Sequence, residues 1–197
     1  KYNGFIDKYI GDAVMALFPT SAEDAVLAAV EMNKQLEVYN SGELASGQDP
    51  VNMGVGIHIG QLVLGTIGRE TRMETTVISD TVNASARLEN LNKTYKTNVL
   101  ISGAVRDELS PDIQSFCRLI DRTQVKGKVE FLDVYEVYLA DEIAVAEAKS
   151  KNKKVLASIV DNYFRGNIKL AQKKLVDLKD DMKKDTVISF WKDRLTT

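Results

Sequence analysis

Gly4-Phe5-Ile6-Asp7-Lys8-Tyr9-Ile10-Gly11-Asp12-Ala13-Val14-Met15-Ala16-Leu17-Phe18 holds two β-like runs on either side of Gly-Asp. A two-residue link with glycine to supply positive φ is hairpin chemistry, so the segment reads as strand, tight turn, strand. A helix is expected next, N-capped by Ser21, with Asp24 in its first turn and Ala25, Ala28, Ala29, Met32 and Leu36 along one face. A polar loop around 41–50 is expected to end it. Val55, Ile57 and Ile59 alternate up to Gly60-Gln61, and 62–67 run back, which reads as a second hairpin. A loop rich in Thr and Arg then leads to a helix from Ser79 or Asp80 to about Tyr95. Its apolar stripe is Ala84, Leu88, Leu91 and Tyr95, at helical spacing. A strand over 98–102, a short helix over 104–109 and strands over 115–125 and 130–139 follow.

This order predicts an α+β fold: a ferredoxin-like βαββαβ sheet with helices on one face, entered at its second strand. The first strand and the helices that follow it are expected to be absent from this chain. In such a sheet that strand is central, and a non-Met start at Lys1 points to a processed or truncated chain. The body spans 1–139. Residues 140–197 are read as a helical C-terminal extension, because all three prolines and eleven of the twelve glycines precede them. In the extension Val155, Ile159 and Tyr163 form one stripe, Gly166-Asn167 breaks the helix, and Ile168, Ala171, Leu175 and Leu178 form a second. Asp185-Thr186 caps a third helix carrying Trp191 and Leu195. The extension has a net charge of +4 against -6 for the body.

Composition removes several classes of function. One cysteine, Cys117, allows no disulfide framework and no Cys-rich zinc site, and one histidine, His58, allows no multi-His metal centre. A net charge of -2 gives no basis for broad nucleic-acid binding. No apolar run reaches bilayer-spanning length, and no secretory signal pattern stands at the start.

The candidate residues are individually weak. Asp12 at a hairpin tip can face a cation, but Gly-Asp is also simply good turn chemistry. Lys8, between Ile6 and Ile10, is either a donor aimed at a ligand or an edge lysine reaching water. Asn83 and Arg87 lie four apart on one helix, and the guanidinium fork suits phosphate oxygens, yet a solvated Asn/Arg face is common. Lys126 and Lys128 flank a glycine turn, as a phosphate site or a solvated loop. Gly54, Gly56 and Gly60 mimic a nucleotide fingerprint with the wrong spacing. His58 and Cys117 read as structural.

Their order is more informative. Residues 4–18 resemble the second-metal-ligand hairpin of class III nucleotidyl cyclases, and residues 56–68 resemble that family's central hairpin. Thr76 to Glu89 resembles its signature helix, and Val125-Lys126-Gly127-Lys128 followed by Val134-Tyr135-Glu136-Val137 resembles its closing strands. The likeness to the adenylyl, bacterial-type members implies a cyclase that converts ATP to 3′,5′-cyclic AMP and pyrophosphate with two Mg²⁺ or Mn²⁺ ions. It implies that Asp12 is a metal ligand, that Lys8 and Thr76 select the purine and that the Ile78 backbone completes the purine pocket. Asn83 would orient the ribose, Arg87 would stabilise charge at the α-phosphate, and Lys126 would neutralise the terminal phosphates. Because this chain carries parts of both half-sites, the resemblance implies a homodimer with its active sites at the interface. A cytoplasmic location, an upstream sensor or regulatory domain and possible membrane attachment through upstream residues complete the expectation. A guanylyl cyclase and a non-catalytic cyclase-like dimerisation or regulatory module are the alternatives. The family's first metal aspartate has no counterpart here, and Ser79 stands where glycine is more usual.

Overall fold

The computed structural model describes residues 1–197 apart from 46, 48, 70, 71, 79, 125–130, 179–184 and 197, with backbone alone for 43–45, 63–69 and 72–78. The chain opens on β1 (Phe5–Ile10) and β2 (Ala13–Leu17), antiparallel from Ile10↔Ala13 outward. Gly11 turns between them at φ 65°, the left-handed region in which a side chain is disfavoured. A register shift between Ile6 and Lys8 leaves Asp7 as the extra residue of a bulge. Lys8 therefore keeps the face of Ile10 but not that of Ile6, contrary to the simple alternation.

Ser21 caps α1 (Ala22–Ala45), its Oγ accepting from the backbone N–H groups of Glu23 and Asp24 at 3.1 and 3.3 Å. The helix continues past the loop expected from Ser41. That hydroxyl bonds the Glu37 carbonyl one turn back at 2.8 Å, so the polar residue is absorbed into the helix. Asn40 reaches across instead, donating to the Val51 carbonyl and accepting from its N–H.

The second hairpin does not form as expected. β3 (Val55–Ile57) runs parallel to β6 (Val99–Ser102), with Val55 opposite Val99. β4 (Val63–Arg69) pairs with β5 (Arg72–Ile78), which occupies the segment read as a Thr/Arg loop. Two causes are visible. β-Branched Thr75, Thr76, Val77 and Ile78 favour a strand, and β3 is held against α2 (Asp80–Tyr95), the crossover helix that a parallel β3–β6 pair requires. Asn92 of α2 donates to the Val55 carbonyl at 3.0 Å. A Cβ at Gly56 would overlap the backbone of Ser85 and Glu89, one at Gly54 would meet Asn92, and one at Gly60 would meet Thr81. The glycine pattern thus serves close strand–helix approach. Gly56→Ala is expected to push α2 outward and cost about 1–3 kcal/mol, read as a lower urea midpoint with an unchanged slope.

After β6 come α3 (Gly103–Asp107), capped by Ser102, and a short α4 (Pro111–Ser115) that the sequence pattern did not reveal. β7 (Cys117–Gln124) and β8 (Phe131–Val137) complete a four-stranded sheet in the order β3-β6-β8-β7. The hairpin β1–β2 and the pair β4–β5 form separate two-stranded sheets. The α+β class stands, but helices cover both faces of the four-stranded sheet. Val99 and Ile101 pack with Val26, Ala29 and Val30 of α1, while Leu100 faces the opposite way into a core shared with α2.

That second core is completed by the C-terminal helices α5 (Ile143–Phe164), α6 (Ile168–Val176) and α7 (Thr186–Thr196). Leu88, Leu100, Leu119, Ile120 and Val134 of the body meet Leu156, Ile159, Val160, Ala171, Ile188 and Trp191. Asp185 caps α7 as expected, its Oδ1 accepting from Val187 and Ile188 N–H at 3.0 and 3.3 Å. Among the described residues no helix is long and apolar enough to cross a membrane.

Candidate active site

The predicted residues lie on three elements. Asp12 is exposed at the tip of the β1–β2 hairpin. Lys8 is half-buried on β1, its Nζ 3.4 Å from the carboxylate of the bulged Asp7. Thr76 and Ile78 lie on β5, opposite Gly65 and Val63, immediately before α2. Asn83 and Arg87 stand one turn apart on the exposed side of α2. Lys126 lies outside the described residues. Thr76 and Ile78 thus close β5, and Asn83 and Arg87 follow on α2, with residue 79 between the two elements outside the described residues. The structure carries Lys8 and Asp12 on a different sheet.

Helix α2 is firmly seated. Ala84, Leu88 and Tyr95 are buried as the stripe predicts, and Asn92 joins them. Asn92 is satisfied by the carbonyls of Val55, Leu88 and Glu89 and accepts from the Thr97 hydroxyl at 3.0 Å. No apolar periodicity could have found it. The Tyr95 hydroxyl donates to Asp121 on β7, and burial, reinforced by that carboxylate, pushes its pKa well above the ordinary phenol value. Arg87 Nε donates to Thr123 Oγ1 on β7 at 2.7 Å. Thr123 belongs to no motif in the sequence and is buried.

The residues set aside on sequence grounds behave structurally. His58 Nδ1 lies 2.8 Å from Ser102 Oγ, which also caps α3. Cys117 is buried, and burial pushes its thiol up to about 11, which suppresses the nucleophilic thiolate. Among the described residues no group of three or more acidic, His or Cys side chains is placed to hold a metal ion. Asp12 supplies one carboxylate, and a divalent cation takes about six oxygens. Among the described residues the Asp12 carboxylate is therefore not grouped with the further acidic, His or Cys side chains that a cation site needs.

The adenylate and guanylate cyclase catalytic domain model matches residues 7–140. This chain belongs to that family. An adenylate cyclase of Anabaena cylindrica is 44% identical over 140 residues, covering 68% of this chain and 28% of the relative. The terminal-differentiation-specific adenylate cyclase of Dictyostelium discoideum is 43% identical over 141 residues, covering 68% of this chain and 6% of the relative. The chain thus spans less than a third of either relative. Among solved structures, the guanylyl cyclase Cya2 superposes with a TM-score of 0.57 at 31% identity, covering 69% of this chain and 70% of that one. The cyclase family match ends where α5 is about to begin, so the C-terminal helices lie outside it.

Proposed function

We propose that this cyclase domain converts ATP to 3′,5′-cyclic AMP and pyrophosphate. The carrying observation is that Asn83 and Arg87 stand together, exposed, on the buried and braced helix α2, directly after the strand bearing Thr76 and Ile78. The ribose 3′-oxygen attacks the α-phosphorus, its proton leaves to solvent, and the bond to the bridging oxygen breaks to release pyrophosphate. No histidine base is required for this step, in keeping with the structural role of His58. Asn83 orients the ribose, and the Arg87 guanidinium stabilises charge that grows on the α-phosphate oxygens in the transition state. Lys126 neutralises the terminal phosphates. Asp12 is the carboxylate of this chain that would help hold Mg²⁺ or Mn²⁺, which when bound would supply charge stabilisation to the attacking hydroxyl and the triphosphate.

Lys8 favours ATP over GTP. An ammonium only donates hydrogen bonds; adenine N1 accepts, whereas guanine N1 carries a hydrogen. Thr76 and the Ile78 backbone complete the purine pocket. The resemblance to Cya2 keeps guanylyl cyclase as the second reading. We further propose that the enzyme is a homodimer. Phe5, Ile6, Tyr9, Ile10 and Val14 of the hairpin bearing Lys8 and Asp12 are exposed, an apolar surface that a partner would cover. An upstream sensor domain and a cytoplasmic, ATP-supplied location belong to the same reading.

The test is turnover of ATP and GTP by the full-length protein with Mg²⁺ or Mn²⁺. ATP should be preferred, Lys8→Glu should move preference toward GTP, and Arg87→Ala should lower kcat by about 10²–10³. Asp12→Ala should abolish metal-dependent turnover. No turnover of either nucleotide would favour the non-catalytic module.

A further inference from the structure

The geometry assigns Thr123 as a positioning residue for Arg87, an assignment that rests on the arginine's proposed place at the α-phosphate. Thr123 is 8% exposed and lies on β7, opposite Leu132 of β8. Its Oγ1 receives the Nε–H of Arg87 at 2.7 Å, across 36 residues of sequence. The guanidinium has five N–H donors in a rigid plane. With Nε–H taken, the side-on fork made by Nε and one Nη is occupied. The end-on pair, Nη1 and Nη2, remains to grip two phosphate oxygens. A hydroxyl suits this role because it fixes the plane without bringing a negative charge. A carboxylate at the same place would pair with the guanidinium and compete with the phosphate.

The surroundings make Thr123 a fixed point. Asp121, two residues earlier on the same strand, accepts from the Tyr95 hydroxyl and from Arg194 Nη1 at 2.9 Å. Arg122 between them donates to Asp133 and Asp161 at 2.7 and 2.6 Å. β7 is therefore tied to α2, β8, α5 and α7 within three consecutive residues. Against that support the exposed Arg87 side chain, which would otherwise sample many rotamers, gains a preferred orientation. Thr123 touches no reacting atom in this account and acts through Arg87 alone.

The experiment uses steady-state ATP turnover of the full-length protein with Thr123→Val, Thr123→Ser and Arg87→Lys, singly and combined. Valine keeps the β-branched shape and removes the acceptor. It should lower kcat about tenfold, the size of one charge-assisted hydrogen bond, with KM within about twofold. Serine keeps the hydroxyl and should restore most of kcat. Lysine at position 87 has no Nε fork to orient, so Thr123→Val should add little to Arg87→Lys. Wild-type kcat in Thr123→Val alongside an impaired Arg87→Lys overturns the assignment while leaving the reading of the arginine intact. A Thr123→Val loss that carries undiminished into the Arg87→Lys background also overturns it, since the effect then bypasses the arginine. Wild-type turnover by Arg87→Lys removes the arginine from the chemistry and the assignment with it.

Discussion

Trp191→Ala should lower the unfolding free energy by about 3–5 kcal/mol, the cost of removing a large aromatic from a closed core. The indole is fully buried on α7, where its edge-to-face contacts with Tyr163 and Phe190 have centroids at 5.2 and 5.9 Å. Arg194 stacks over it at 5.0 Å. Its Nε1 donates to the Ile120 carbonyl at 2.7 Å. Ile120 is the residue left over where the β7–β8 register shifts between Leu119 and Asp121, so its position in the ladder has no facing partner. The truncation therefore opens a cavity and strips a buried carbonyl of its donor, and the two costs add. Trp191→Phe should recover most of the packing but not the hydrogen bond, and so lose about 1–3 kcal/mol. Equilibrium denaturation measures both. A loss under about 1 kcal/mol for the alanine variant would show that the C-terminal helices are an appendage and not part of the body's core.

Arg118→Met should be of similar size. Arg118 is 2% exposed, donating through Nε to Glu136 at 2.6 Å and through both Nη groups to Asp185. Lys149 joins the cluster by bonding Glu136 and Asp141 at 2.7 and 2.6 Å. Burial works against the charge on Arg118, but Glu136 and Asp185 together outweigh it and raise its pKa above the ordinary guanidinium value. Deleting the arginine alone leaves the buried Asp185 carboxylate with its cap N–H groups but no cation, and Glu136 with Lys149 alone, and should cost about 3–5 kcal/mol. A companion variant that also carries Asp185→Asn removes the stranded charge while leaving Glu136 with Lys149, and should recover a large part of the loss. If the companion is no more stable than Arg118→Met, packing and not charge explains the effect.

These two sites show what local pattern can and cannot reveal. The β1–β2 turn at Gly11-Asp12, the Ser21 and Asp185 caps and the start and end of α2 were all legible, because each depends on residues within one or two turns of chain. So were Asn83 and Arg87 on one helical face. The pairing of β3 was not legible. Alternation identifies a strand and its faces, but the partner was decided by glycine contacts with α2, some thirty residues away, and by the β-branched run that made β5 a strand. The bulge at Asp7 was equally hidden, since alternation assumes an unbroken ladder.

Family membership was legible from residue order alone, because four short motifs follow one another in the right order and each carries its own local chemistry. Sequence alone also placed the helical extension and its caps. The tertiary structure alone decided that this extension closes the body's second core, that Arg118 and Trp191 lock the two together, and that Thr123 meets Arg87. The physical reason is range. Caps, turns and amphipathic stripes are set by neighbours along the chain, whereas Arg118–Asp185, Trp191–Ile120 and Arg87–Thr123 join residues 67, 71 and 36 positions apart. Such pairs leave no periodic trace, and folding alone brings them together.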